Sequence, residues 1–579
     1  MDRRHVGPAP ALGHSALGSI SLVSSAVCTF QAVWKYPTAA DFLCMGSFEG
    51  IERIHHKWKP RLAFGSVSLL VGREYVWRNI DTAPDIVLNQ MKKDLGSPSL
   101  IFLDLRPVAY PMCVVTNHEV AEQISRTSKL FPWSTPKSPT LGDLVHLVGP
   151  HSILTLQNEE WKHLRKRFNS GFAPSHLMTF LPTILDKTWA FLKHLDGYAR
   201  TGEEFSLERL TVNLTFDIIG AVVMDTDFDA QHLEAARQGQ FIQLYGALVS
   251  SYTNDDGRLP WWTKPGQEWK RYRLGKKIDS LLQAMVRARY AEMRQPGAKP
   301  SRSVLSLSLQ GVTPLTDEIL KDTCDQLKTF IFAGHDTTSI LLAWAIYELS
   351  RTPHALSALR AELDAIFGPD PDPASVRAKL LSAEGEDLVK QMAYTSAVIK
   401  ETLRLHPPAG TARMAPPGSN FVVRTPEGTE VCLDGMVIYN AAYLIQRDAA
   451  VYGSTANDFS PDRWLGDTDT SMEKEDEGNE KRSTERTIPV SAWRPFERGP
   501  RNCIGQELAN IEARVILAVV ARRYDFTKMG VGEVVLNEKG LPTLNEKGQY
   551  NVKSELFSVS AFTFTPHDLL HSLRRATRA

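Results

Sequence analysis

The string Phe496-Glu-Arg-Gly-Pro-Arg-Asn-Cys-Ile-Gly505 sets a cysteine in a glycine-bounded turn, directly before an apolar-periodic run from Gln506 to Arg522. A thiol at such a point meets the free amides and partial positive charge of a helix start. Both favour the thiolate, a soft ligand for a transition metal. Gly499 and Gly505 let the backbone approach a flat ligand, and Arg501 offers a charge-assisted donor for a carboxylate. The other cysteines, Cys28, Cys44, Cys113, Cys324 and Cys432, are scattered with no Cys-x-x-Cys pair. Neither a zinc site nor a disulfide framework is expected from them.

Other strings add chemistry. Ala333-Gly-His-Asp-Thr-Thr338 lies inside a helical pattern, where Gly334 costs about 1 kcal/mol relative to alanine, so something must compensate. Asp336 and Thr337 place an acid beside an alcohol. Glu401-Thr-Leu-Arg404 puts opposite charges at i and i+3 on one helical face. Trp161-Lys-His-Leu-Arg165 pairs an aromatic with a cation, Arg413 follows His406-Pro-Pro408, and Arg463 lies within Phe459-Ser-Pro-Asp-Arg-Trp464.

Taken in chain order from Trp161 to Gly505, these motifs resemble those of the cytochrome P450 superfamily, in the style of fungal secondary-metabolism members. The resemblance implies a mainly α fold with small β-sheets, holding haem b between a long distal helix and a proximal cysteine loop. It makes Cys503 the thiolate ligand of the iron, within a loop that includes Phe496 and Gly505. Ala333 and Gly334 would line the oxygen site, Asp336 relay protons and Thr337 donate a hydrogen bond. Trp161, Arg165, Arg413 and Arg501 would meet the propionates, while Glu401, Arg404 and Arg463 form a structural network beneath the loop. His335 fills a variable position; Asp462 and Trp464 stand where Glu and Phe are commoner.

The activity so implied is insertion of one oxygen atom from O2 into an apolar small molecule. The chain shows no flavin or nicotinamide motif, so an NADPH-cytochrome P450 reductase is the expected electron donor. It would dock on the cysteine side, where Arg494, Arg498, Lys166 and Arg167 suggest a basic patch. The expected pocket draws on residues 130–154, Trp261, Trp262, Phe330, Phe332, Ala409 to Thr411 and Phe557 to Phe564. Two alternatives stand beside this reading: a haem-thiolate isomerase or dehydratase acting on a peroxide, and a non-catalytic haem-binding sensor.

The elements that must position these residues follow from periodicity. Strands are expected at Ser99 to Leu105, Tyr110 to Val115, Asn420 to Val423 and Thr429 to Leu433. Helices are expected at Leu177 to Leu195, Leu207 to Val223, Asp317 to Arg351, Ala355 to Phe367 and Leu388 to Leu405. Ser251 to Lys270, rich in Gly, Pro, Asn and Asp, reads as a loop. A short duplication, Leu536-Asn-Glu-Lys-Gly540 and Leu544-Asn-Glu-Lys-Gly548, falls in a polar loop and predicts no repeat fold.

With 579 residues, 43% hydrophobic and 23% charged, the chain has the composition of a globular protein. Its 66 basic and 66 acidic residues balance, which argues against nucleic acid as a partner. Residues 1–56 read as a leader and 57–579 as one catalytic domain, interrupted by a charged insertion at 466–487. Val6 to Trp34 carries no charged side chain, but its serines dilute its apolar character. The leader is therefore either a membrane anchor or a poorly ordered or interfacial segment. Localisation at the cytoplasmic face of the endoplasmic reticulum membrane and a monomeric state are the expectations.

Overall fold

The computed structural model describes residues 68–70, 84–105, 110–253, 264–298, 301–466, 488–556 and 570–575. The leader, residues 467–487 of the charged insertion, Trp261, Trp262 and the segment 557–564 lie outside them.

The chain enters through β1 (Ser68–Leu70), α1 (Pro84–Asp94), β2 (Leu100–Leu103) and β3 (Met112–Val115), then α2 (His118–Ser125) and α3 (Asn158–Asn169). A helical body follows: α4 (Leu181–Thr201), a two-residue strand β4 (Phe205–Ser206), α5 (Leu207–Met224), α6 (Gln240–Thr253), α7 (Pro265–Met293) and α8 (Asp317–Arg351). Next come α9 (Pro353–Phe367), α10 (Gly385–Gln391) and α11 (Ala393–Leu405). The strands β5 (Thr411–Met414), β6 (Val422–Arg424), β7 (Glu430–Cys432) and β8 (Val437–Asn440) precede α12 (Gln506–Arg523), β9 (Tyr524–Lys528) and β10 (Leu570–Arg575).

Five strands form a mixed sheet in the order β1-β2-β3-β8-β5. In it β3 runs parallel to β8, and β5 runs antiparallel to β8 with Arg413 opposite Ile438. This sheet has small cores of its own, whereas the main core lies among α3 to α12.

The long helix α8 has the predicted bounds. Thr316 caps it by accepting from the Ile319 amide, and Pro353, whose ring cannot extend a helix, follows its C-cap Thr352. Three expectations are corrected. Pro353 and Pro265 each serve as first helical residue, where the missing N–H costs nothing. So α9 begins before Ala355, and of the predicted loop Ser251 to Thr253 belong to α6 and Pro265 to Lys270 to α7. The single helix expected at Leu388 to Leu405 is broken at Met392 (ψ 69°). The Glu362 carboxylate of α9 accepts from the Tyr394 and Thr395 amides and so caps a fresh start. The duplicated pentapeptide forms two copies of one turn. Asn537 accepts from the amides of Lys539 and Leu541, Asn545 from those of Lys547 and Gln549, and Gly540 and Gly548 share φ +72°.

Candidate active site

The cysteine loop closes on itself where the Cys503 amide donates to the Phe496 carbonyl at 2.9 Å. Gly499 is required there: φ is +73°, and a Cβ would stand 2.1 Å from the Ser125 carbonyl at the end of α2. At Gly505 a Cβ would meet only the Cys503 sulfur, at 3.9 Å, an ordinary contact. Arg165 on α3 clamps the loop, Nη1 donating to the Asn502 carbonyl at 2.8 Å and Nη2 to Asn502 Oδ1 at 3.2 Å. Its Nε goes to Asn169, so Arg165 is occupied with the loop where the sequence suggested a propionate.

Cys503 is exposed, yet burial is the leading influence on its thiol and pushes its pKa up. The two facts agree if the sulfur faces an internal hollow. The amides of Gly505 and Gln506, with Arg165 and Lys137, pull the other way without prevailing. The helix start and its neighbouring cations thus favour the thiolate, against the opposing influence of burial.

Beside the sulfur lies a cradle of cations. Arg413 is wholly buried on β5; its Nη1 donates to Ser134 Oγ and the Thr135 carbonyl, both at 3.2 Å. Its Nε and Nη2 have no partner. Arg501 stacks over the Trp161 ring at 4.7 Å and donates to Gln157 Oε1 and the Ile153 carbonyl. Its pKa is pushed down to about 9, first by burial and then by Arg413 and Arg165. A guanidinium keeps its proton in a protein, so this depression reflects desolvation first and repulsion second, and an anion among these groups would offset both. Lys137, which the sequence reading missed, joins them. Its Nζ donates to Thr411 Oγ1 at 2.8 Å, and its pKa is lowered well below the usual value by burial, then by Arg413 and Arg501. Backbone pairing joins that segment to β5, the Ser138 amide donating to the Ala412 carbonyl and the Met414 amide to the Pro136 carbonyl on either side of the Lys137–Arg413 bridge, a pairing too remote in sequence to be read there.

The cradle is tied to α8 through Ile153, whose carbonyl serves Arg501 and whose amide donates to Gln326 Oε1 at 2.8 Å. Along α8 nearly every residue from Thr323 to Leu349 is buried, except a band of Phe332, Ala333, Gly334, Asp336 and Thr337. That band begins roughly 9 Å along the helix from Gln326. Thr337 Oγ1 donates back to the Ala333 carbonyl at 2.7 Å. Gly334 answers to packing: a Cβ would stand 2.6 Å from Ile219 Cδ1 on α5, so the glycine lets these helices close. His335 turns away from the band, buried against Phe216 and Tyr245 with Nδ1 on the Ile331 carbonyl. Phe330 is also core, edge-on to Phe168 and Phe172, which removes it from the expected pocket; Phe332 remains accessible.

Beneath the loop, the fully buried Glu401 carboxylate accepts from Arg404 Nε and Nη2 (2.8 Å each), Arg463 Nε (2.9 Å) and the Ser460 amide (2.9 Å). Trp464 adds a further donor, Nε1 to Glu401 Oε2 at 2.9 Å. From Trp464 a run of edge-on aromatic contacts passes through Trp493 (6.2 Å) to Phe496 (6.0 Å) and so into the cysteine loop. Gln446 makes a second bridge, donating to the Leu403 and Arg404 carbonyls and accepting from the Arg494 amide.

The expected basic patch does not form as drawn. Arg494 is buried, held by Glu122, Glu497 and Ser125, and Arg498 also donates to Glu122. Arg167 donates to the Ser308 carbonyl and Thr323. Of the four, Lys166 is exposed.

An accessible soft ligand, with a cluster of cations near it that includes buried guanidinium atoms lacking partners, fits a flat metal complex bearing carboxylates. Haem satisfies each requirement: Cys503 would take the iron, and Arg413, Arg501 and Lys137 the propionates.

Comparison with known proteins agrees. The cytochrome P450 family profile matches residues 78–552. The cytochrome P450 monooxygenase acrF of Aspergillus aculeatus is 31% identical over 461 residues, covering 77% of this chain and 88% of that one. The cytochrome P450 monooxygenase polC of Polytolypa hystricis is 27% identical, covering 74% and 73%. The crystal structure of a cytochrome P450, CYP102L1, superposes with a TM-score of 0.64 at 20% identity, covering 85% of this chain and 98% of that one. A cysteine loop braced from below, a cation cradle and a match over most of its length lead to one conclusion: the chain belongs to the cytochrome P450 family and is a haem-thiolate monooxygenase.

Proposed function

We propose that this monooxygenase oxidises an apolar small molecule of fungal secondary metabolism, with electrons from a separate NADPH-dependent flavoprotein reductase. The names of acrF and polC support the reaction class. A Fusarium oxysporum relative named as a bifunctional cytochrome P450/NADPH-P450 reductase, 28% identical over 54% of this chain and 26% of its own length, supports the donor class. The observation that carries the reading is the accessible sulfur of Cys503 within reach of Lys137, which is itself grouped with Arg413 and its unpartnered atoms.

Bound haem supplies the oxygen-activating chemistry, its thiolate ligand donating electron density to the iron. The chain's own residues position, dry and protonate. Phe332 and Ala333 offer the pocket an apolar wall, and Ala409 to Thr411 a second accessible edge. Asp336 sits in the accessible band as proton relay, and the Thr337 hydroxyl, fixed on the Ala333 carbonyl, is the adjoining donor. The enzyme works as a monomer at the cytoplasmic face of the endoplasmic reticulum, a placement that rests on the uncharged stretch Val6 to Trp34. No helix among the described residues is long and apolar enough to cross a membrane.

The test is reconstitution of the purified chain with reductase, NADPH and candidate substrates chosen by their shift of the ferric haem spectrum. Cys503→Ser is expected to lose the thiolate-type reduced carbon-monoxide spectrum, and Thr337→Ala to keep it while diverting NADPH to hydrogen peroxide. Turnover of a hydroperoxide without NADPH, and none with reductase and oxygen, would replace this reading with an isomerase.

A further inference from the structure

We infer that Glu497 is a positioning residue for the cysteine loop, whose fixed, largely buried negative charge lowers the reduction potential of the iron bound at Cys503. The inference rests on the haem assignment above. Glu497 is the second residue of the loop and adopts φ +56°, a left-handed conformation that a non-glycine residue takes only when its surroundings enforce it. What enforces it is a set of donors from different parts of the chain. Oε1 accepts from Arg494 Nη2 at 2.6 Å, Ser125 Oγ at 2.9 Å and the Arg498 amide at 3.2 Å; Oε2 accepts from Asn440 Nδ2 at 3.4 Å. One carboxylate thus fastens the loop to the end of α2 and to β8, the strand beside Arg413.

Its electrostatic surroundings are equally particular. Burial alone would raise its pKa, but Arg494, Arg413 and Lys137 outweigh burial and hold it at about 2. Glu497 is therefore ionised at any working pH. Lys137 lies within the electrostatic reach of both Glu497 and the Cys503 sulfur, and Arg413 within that of Glu497. The carboxylate accordingly belongs to the charge cluster of Lys137, Arg413 and Arg494. A fixed anion in a poorly polarisable interior stabilises the more positive, ferric state over the ferrous state, since reduction adds one electron with no counter-charge to move.

The experiment is a spectroelectrochemical titration of the ferric/ferrous couple in the purified full-length holoenzyme. Glu497→Gln keeps the side chain's shape and removes its charge; Ser125→Ala keeps the charge and removes one hydrogen bond. The expected result is a more positive midpoint in Glu497→Gln, with the thiolate-type carbon-monoxide spectrum retained, and a smaller shift in Ser125→Ala. Should Arg494, deprived of its partner, prevent folding, Glu497→Gln is made on an Arg494→Gln background and compared with that background alone; the same positive shift is expected. An unchanged midpoint, or an equal shift in Ser125→Ala, overturns the inference. A wild-type chain that takes up no haem overturns the haem assignment instead, so the two failures are distinct.

Discussion

Lys137 shows how a single half-buried cation can be costly alone and useful in company. An amine stripped of water and set beside Arg413 and Arg501 is held well below its normal pKa, so the haem-free chain bears the cost of desolvation and repulsion at once. A propionate removes both. A hydrogen bond to a charged group contributes about 1.5–3 kcal/mol. Lys137→Met is thus expected to speed haem transfer to an excess of a haem acceptor by roughly one to two orders of magnitude; an unchanged transfer rate would show that Lys137 does not hold the cofactor. Glu497 makes the opposite case, because its pKa lies at about 2 against an ordinary 4.5. A depressed carboxyl adds stability that is complete above the unfolded value and is lost as pH falls through the folded one. Wild type should therefore unfold at a higher temperature than Glu497→Gln above pH 4.5, with the gap closing toward pH 2. A gap independent of pH would mean that shape, not charge, matters at this residue.

Between elements, the cysteine loop is braced by groups that no local pattern links to it. The Glu401 to Trp464 to Trp493 to Phe496 chain joins α11 to the loop, and its first link is an indole N–H that phenylalanine lacks. Trp464→Phe keeps an aromatic ring, though a smaller one, and removes that donor from a fully buried carboxylate. A loss of about 1.5–3 kcal/mol is expected, read as a lower denaturant midpoint with unchanged slope; an unaltered midpoint would show that the Arg404, Arg463 and Ser460 donors suffice. The same elements show what the sequence could and could not tell. The bounds of α8 were legible because Thr316 and Pro353 are local signals, and Cys503, Arg501 and the Glu401-Arg404 pair because their spacing is short. The break at Met392 was not, since its cause is Glu362 on another helix. Nor was the burial of Arg494, whose partners Glu122 and Ser125 lie some 370 residues away in sequence. Gly334 carried the right signal for a different reason, the approach of Ile219.

At the scale of the molecule, a sheet with cores of its own supplies Arg413, while the helical body supplies α3, α8 and α12. The cofactor is the group toward which both contribute: the sulfur comes from the loop before α12, and the cations from β5, from Arg501 of that loop and from the segment before α3. Anything that binds the folded state alone stabilises it by mass action, about 2.7 kcal/mol when present at a hundred times its dissociation constant. For this chain the increment includes relief of the repulsion among Lys137, Arg413 and Arg501. Haem extracted from the purified protein should therefore leave a chain that unfolds at a lower temperature, and its midpoint should climb as haem is returned. The same titration with Lys137→Met should start from a higher haem-free midpoint and climb less, because that variant has shed both the cost of the buried amine and its reward. Scanning calorimetry of the two proteins across a haem series reads both quantities; parallel curves would separate the cation cradle from cofactor binding.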